Sequence, residues 1–215
     1  MKSGGWLVHV VDDDSSWRIS VERLLSALGY RVALYESADA FLATADIDRP
    51  GCVLLDLRMP GLTGLELQQR IVEMRRNVPI VFISGHGDIP TSVAAMKSGA
   101  ENFLTKPVDS DVLVRTIEQA ILRDRQGRDR RDQLAASRAR VDALTPSERR
   151  VFSLVVRGKL NKHIAIELGI AERTVKWHRQ HIMQKMQVES LAELVLLAER
   201  LNLVDGQEPP APKSR

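Results

Sequence analysis

The chain has 215 residues, 44% apolar and only 4% aromatic, which accommodates two small domains or one larger one and suits strands wrapped by helices. Its single cysteine, Cys52, excludes an internal disulfide and sits in the apolar run GCVLL as a small buried hydrophobe; no stretch approaches the ~18 apolar residues of a membrane span and MKSGGW opens no signal peptide, so a cytoplasmic protein without a membrane partner is expected. The net charge of +3 hides an acidic front (−4 over residues 1–120) and a basic rear (+4 over 121–140, +3 over 141–215), a split that suits different partners but also two ordinary domain surfaces.

Apolar runs at residues 7–11, 32–35, 53–55, 80–83 and 102–104 read as five strands. Between them, helical spacing recurs in Ile19, Leu24, Leu25 and Leu28, in Leu65, Leu67, Ile71 and Met74, and in Val112, Ile117 and Ile121. Five strands alternating with five helices predict a doubly wound α/β domain: an open, mostly parallel sheet covered on both faces, with right-handed crossovers. Such sheets place their sites beyond the carboxyl ends of the strands. Strand one ends in Asp12, Asp13 and Asp14, strand three in Asp56 and strand four in Ser84, and strand five is followed by Lys106 and Pro107.

Clustered carboxylates repel one another and need a cation, and a hard divalent ion with oxygen ligands, Mg2+, suits them. Asp56 can then attack a phosphoryl donor, with Lys106 and the metal offsetting charge on the transferring group and Ser84 hydrogen-bonding a phosphoryl oxygen. Taken singly, each residue has a plainer role: Asp12 or Asp14 can cap the next helix, with Ser15 or Ser16 as rivals, and Ser84 can be a turn residue before Gly85.

The segments VVDDD, LLDLRMPGLTG, VFISGHGD and GAENFLTKP resemble the response-regulator receiver domain, and more narrowly the FixJ-like branch of the FixJ/NarL group, over residues 5–122. The resemblance implies a flavodoxin-like (βα)5 fold with Asp56 as phosphoacceptor for a histidine kinase. Asp12 and Asp13 would be the acidic pair, Asp13 the more direct metal ligand, and the Arg58 carbonyl a third ligand. Ser84 would be the switch hydroxyl, Lys106 the active-site lysine in a cis Lys106–Pro107 bond, and Phe103 the aromatic that turns inward on phosphorylation. Val108 departs from the Phe frequent in this branch. His86 would sit in the loop after strand four, without a catalytic role.

Residues 123–140 contain ten charged side chains among 18. They read either as an exposed helix continuing the last receiver helix or, given Gly127, as a flexible charged linker whose arginines are solvated or touch DNA phosphates. Thr145, Pro146 and Glu148 then form a capping box with proline at the first helical position. Helix one carries Val151, Phe152, Leu154 and Val155 and ends at Gly158; helix two spans 161–168 and stops at Gly169; helix three spans 173–186 and helix four 191–203. Ile164, Leu168, Ile170, Val175, Ile182 and Met186 are expected in the core. Lys176, His178, Arg179, Gln180 and Lys185 form a polar face that is either solvated or directed at DNA. Two short helices joined by a tight turn, the second rich in Arg, Lys and His, read as helix-turn-helix.

The stretch from LTPSERR to AELV, residues 144–196, is similar to the all-α, four-helix LuxR-type helix-turn-helix of the same group. It implies that helix three enters the major groove of double-stranded DNA. Lys176 and Trp177 would reach bases, Asn161, Thr174, His178, Arg179 and Gln180 would lie at backbone contacts, and helix four would pair two copies. Trp177 stands where Val is common; its indole reads a thymine methyl or packs on His181. The organisation expected is a receiver over 1–122, a charged linker over 123–140, a DNA-binding domain over 141–205 and a disordered tail over 206–215. Phosphorylation would act at the face formed by residues 89–98, strand five and residues 109–121, by driving a homodimer or by releasing the DNA-binding domain. The alternatives are a regulator independent of phosphorylation, whose receiver only dimerises, and a small-substrate phosphatase. The intact Asp12, Asp13, Asp56, Ser84 and Lys106 argue against the first. The absence of residues left for a substrate cap argues against the second.

Overall fold

A computed structural model describes residues 5–74, 76–85 and 89–204, in two compact units, Met1–Arg128 and Asp129–Arg215. His86 and the tail over 206–215 lie outside the described residues.

The first unit alternates β1 (Leu7–Val11), α1 (Ser15–Ala27), β2 (Arg31–Tyr35), α2 (Ala38–Thr44), β3 (Gly51–Asp56), α3 (Gly64–Glu73), β4 (Ile80–Ser84), α4 (Ile89–Lys97), β5 (Asn102–Thr105) and the start of α5 (Ser110–Asp142). The strands pair in parallel in the order β2-β1-β3-β4-β5. Because side chains alternate along a strand, one apolar run feeds two cores. Val8, Val10, Cys52, Leu54, Val81 and Ile83 face α1 and α5, which contribute Val21, Leu25, Leu113 and Ile117. Val11, Val53, Leu55, Ile80 and Phe82 face the other side, where α2, α3 and α4 contribute Phe41, Leu67, Ile71 and Ala95. The strands lie close at the entry of β3: a Cβ on Gly51 would come within 1.8 Å of the Leu7 carbonyl oxygen, so only glycine fits.

α5 runs unbroken from Ser110 to Asp142, through Gly127. Its charged stretch is not a uniformly solvated face. Asp124 is buried, and its Oδ2 accepts from the Gly51 N–H at 3.0 Å and from Arg128 Nε at 2.8 Å. The Arg128 guanidinium also donates to the Asp48 and Arg49 carbonyls. Asp124 and Arg128 are one helical turn apart, but the alternation of Arg and Asp concealed that they meet Gly51, Asp48 and Arg49, because spacing along a helix does not reveal partners on another element.

The second unit packs α6 (Pro146–Val156), α7 (Asn161–Leu168), α8 (Glu172–Met186) and α9 (Leu191–Arg200), with Val141 of α5, around Val151, Phe152, Val155, Ile164, Val175, Ile182, Met186 and Leu194. Leu168 and Ile170 pack against this core, half-buried. The Thr145 capping box is formed: the Glu148 N–H donates to Thr145 Oγ1 at 3.3 Å and the Thr145 N–H to Glu148 Oε2 at 2.8 Å. Gly169 ends α7 in the left-handed conformation at φ 65°. α9 stops at Arg200, three residues short of the expected end, because Asn202 turns to φ 56° and the Leu203 N–H closes back on the Ala198 carbonyl.

Candidate functional site

Parallel pairing sets the pocket. Asp56 is the last residue of β3, opposite Ile83; Ser84 closes β4 opposite Thr105; Asp12 follows β1 and Lys106 follows β5. Four strand ends therefore deliver their polar residues to one edge of the sheet. Oxygen atoms of Asp12, Asp13 and Asp56 lie within 4.8 Å of one another. Asp12 and Asp56 are buried and Asp13 is exposed. The Lys106 ammonium donates to Asp12 Oδ2 at 2.7 Å and to Asp56 Oδ2 at 3.4 Å. The Lys106–Pro107 bond is cis.

Local structure tightens this arrangement. Asp14, not Asp12, caps α1, its Oδ1 accepting from the Ser16 and Trp17 N–H groups. Asp12 Oδ1 accepts from the Asp14 N–H at 2.9 Å, and Arg18 donates to the Asp12 carbonyl. The Arg58 N–H donates to Asp56 Oδ1 at 3.4 Å. Gly64 lets α3 approach, since a Cβ there would stand 2.2 Å from the Asp56 carbonyl oxygen. Ser84 is buried, its carbonyl accepting from the Lys106 N–H at 2.8 Å. Phe103 is half-buried on β5, stacked on Phe82 at 6.4 Å between ring centroids. With Ser92, Val93, Met96, Lys97 and Asn102 it lines a groove of about 440 Å³.

Burial pushes the Asp12 carboxyl above its ordinary pKa, and the Lys106 hydrogen bond only partly offsets this, with the Asp56 charge adding to the rise. Burial acts in the opposite sense on Lys106, but Asp12 and Asp56 outweigh it, so the ammonium is held above the usual lysine value. The two shifts pull one ion pair in opposite senses. The lysine's is the one that describes the pair, because the rise at Asp12 comes first from burial, while its contact with Lys106 acts to lower it. Three carboxylates and one ammonium leave room for a further positive charge. An all-oxygen donor set fits a hard divalent cation such as Mg2+.

The sequence missed one neighbour. Trp17, on α1, presents its ring to Lys106 Nζ, 4.6 Å from the centroid. It lies three residues after Asp14, one helical turn beyond the acidic run, a position that by itself reads equally as core packing.

On α8, Lys176 and Gln180 are exposed and Thr174 and His178 half-buried. Lys176 lies 3.5 Å from Glu172. Trp177 is 53% exposed and packs one face on His181, 3.9 Å between centroids, with His178 at its edge at 5.0 Å. Arg179 donates to Asn161 Oδ1 at 3.0 Å, joining α8 to the start of α7. Lys185 does not belong with a free polar face: its ammonium binds buried Glu148 at 2.7 Å.

Comparison with known families places a response regulator receiver domain at residues 8–118 and the LuxR family of bacterial regulatory proteins at residues 142–198. A receiver sheet followed by this helix-turn-helix defines the class of two-component response regulators that bind DNA and regulate transcription. Nodulation protein W of Bradyrhizobium diazoefficiens is 41% identical over 197 residues, spanning 92% of this chain and 87% of that protein. Transcriptional regulatory protein FixJ of the same organism is 42% identical over 201 residues, covering 92% and 97%. Among solved structures, the response regulator StyR superposes with a TM-score of 0.81 at 44% identity, over 92% of this chain and all of that one. The chain belongs to the FixJ/NarL family of response regulators. Receivers of this kind catalyse only their own phosphorylation and dephosphorylation. Among the described residues no helix is long and apolar enough to cross a membrane.

Proposed function

We propose that the protein is a transcription regulator switched by phosphorylation, which accepts a phosphoryl group on Asp56 from a sensor histidine kinase and then dimerises on double-stranded DNA. The observation that carries this reading is the Lys106 ammonium held between Asp12 and Asp56 at the converging strand ends. An Asp56 carboxylate oxygen attacks phosphorus, forming an acyl phosphate as the bond from phosphorus to the donor's histidine nitrogen breaks. Lys106 offsets the negative charge gathering on the phosphoryl oxygens. Asp12, Asp13, Asp56 and the Arg58 carbonyl would hold Mg2+, which when bound supplies further positive charge at the same place. Ser84 donates its hydroxyl to a phosphoryl oxygen, and Phe103 turns inward from the groove it lines. That alters the surface of α4, β5 and α5, through which two receivers pair. Two linked helix-turn-helix units gain affinity over one through raised effective concentration, and they read an approximately palindromic site. Lys176 and Trp177 of α8 reach bases, while Thr174, His178, Arg179 and Gln180 of α8 and Asn161 of α7 hold the DNA backbone.

The test is intact mass and size after treatment with a small phosphodonor and Mg2+. Wild type should gain one phosphoryl group and shift from monomer to dimer, a chelator should abolish both changes, and Asp56→Asn should gain nothing. A phosphoryl group on Asp56→Asn would overturn the assignment.

A further inference from the structure

Lys106 sits on a four-carbon stem with three rotatable donors, so nothing in its own chemistry keeps the ammonium aimed at Asp56. Asp12 takes the shortest contact, 2.7 Å, against 3.4 Å to Asp56. A third group bounds the ammonium. Asp14 caps α1 and receives the Trp17 N–H at 3.2 Å, which fixes that residue as the third of the helix. The indole is half-buried against the core shared by α1, α5 and the sheet, so its ring plane is held by packing. Its face stands 4.6 Å from Lys106 Nζ, within the range at which the ring quadrupole attracts a cation.

We propose that Trp17 is the positioning residue for Lys106 in phosphoryl transfer, its indole face holding the ammonium against the paired carboxylates Asp12 and Asp56. This rests on the reading of Asp56 as phosphoryl acceptor. Bounded by Asp12 and the indole, the ammonium swings toward water only by giving up both contacts. Toward Asp56 it needs only to pivot. When the transferring group brings negative oxygens to the Asp56 side, the shortest contact passes from Asp12 to those oxygens while the indole still limits travel. An aliphatic side chain in the same place would fill the space without attracting the charge, leaving the ammonium to be hydrated. The aromatic face, rather than bulk, is therefore the property that the site uses.

The experiment uses the full chain with phosphoramidate and Mg2+ and follows the initial rate of mass gain. Trp17→Phe, which keeps an aromatic face, should charge within about twofold of wild type. Trp17→Leu and Trp17→Met should charge about three- to tenfold more slowly, as loss of a half-buried cation–π contact predicts. Circular dichroism identifies any variant that has lost its fold, and the remaining aliphatic variant then decides. A second arm needs neither metal nor phosphate. With Trp6 and Trp177 changed to Phe, Trp17 is the sole tryptophan, and Lys106→Met should alter its emission. If wild type charges and both aliphatic variants keep pace, or if Trp17 emission is indifferent to Lys106→Met, the positioning role is overturned alone. A wild-type chain that gains no phosphoryl group would overturn that role and the reading of Asp56 together.

Discussion

His9 is buried on β1 between two rings, stacked with Tyr35 at 5.7 Å and meeting Phe41 edge-on at 5.6 Å. Its Nδ1 lies 3.0 Å from the Tyr35 hydroxyl. Burial lowers the imidazole pKa to about 4, with Asp46 only partly opposing it. An unfolded histidine titrates near about 6.5, so between these values the unfolded chain binds a proton that the folded chain refuses. This contribution is intact above about pH 6.5, declines as pH falls and levels off once folded His9 titrates near pH 4. The whole shift is worth about 3 kcal/mol. Urea unfolding at pH 7.5 and 4.5 should show the loss in wild type and a much smaller one in His9→Gln; equal losses would assign the acid sensitivity to other groups. At this scale the sequence was most legible where topology did the placing. Asp12, Asp56 and Lys106 are far apart in the chain, but a parallel sheet has one carboxyl edge, and all three follow or end a strand. Trp17 was not legible, because an aromatic near the start of an amphipathic helix reads equally as core packing.

The elements of the second unit are tied together by one carboxylate. Glu148 completes the capping box of α6 and also receives Lys185 from α8. Burial pushes its pKa up, but the Lys185 ammonium and the Thr145 donors more than offset this and bring it to about 2. The stabilisation is therefore complete above about 4.5, the ordinary value, and is lost as pH falls toward 2. Glu148→Ala should cost about 1–2 kcal/mol in denaturant unfolding, since it removes the N3 half of the capping box and the ion pair to a partly solvated Lys185. A cost within error of zero would make the pair incidental. The capping box was legible from Thr145, Pro146 and Glu148 alone. Lys185 was not, because a polar stripe on a helix does not announce a buried partner 37 residues away. The same helix bears a test of base reading. Lys176→Ala should relax sequence preference, whereas Arg179→Ala, which also releases Asn161, should weaken specific and non-specific binding evenly. Binding isotherms on matched and scrambled operators at one salt concentration check this, and equal loss of discrimination in the two variants would undo the distinction.

At the scale of the molecule, the buried apolar residues among those described form three clusters, two on the sheet faces of the first unit and one among the helices of the second. The period-two strands and the spaced helices already carried this division. What they could not give was the length of α5, because a charged helix and a charged coil share a composition. Two units, each with its own core, predict two unfolding transitions. Ile182→Val should cost the second unit about 1 kcal/mol and lower its calorimetric transition by about 4–8 °C, leaving the other in place. A single transition that moves as a whole would refute independence. Cys52 makes the same division readable in time. It is the chain's only cysteine and is fully buried in the first unit's sheet; burial, with the Asp124 charge, pushes its thiol up to about 12. An alkylating reagent must wait for the strands to part, so the protein carries a clock for its own opening. That clock counts excursions of the receiver alone and stays silent while the DNA-binding unit unfolds and refolds.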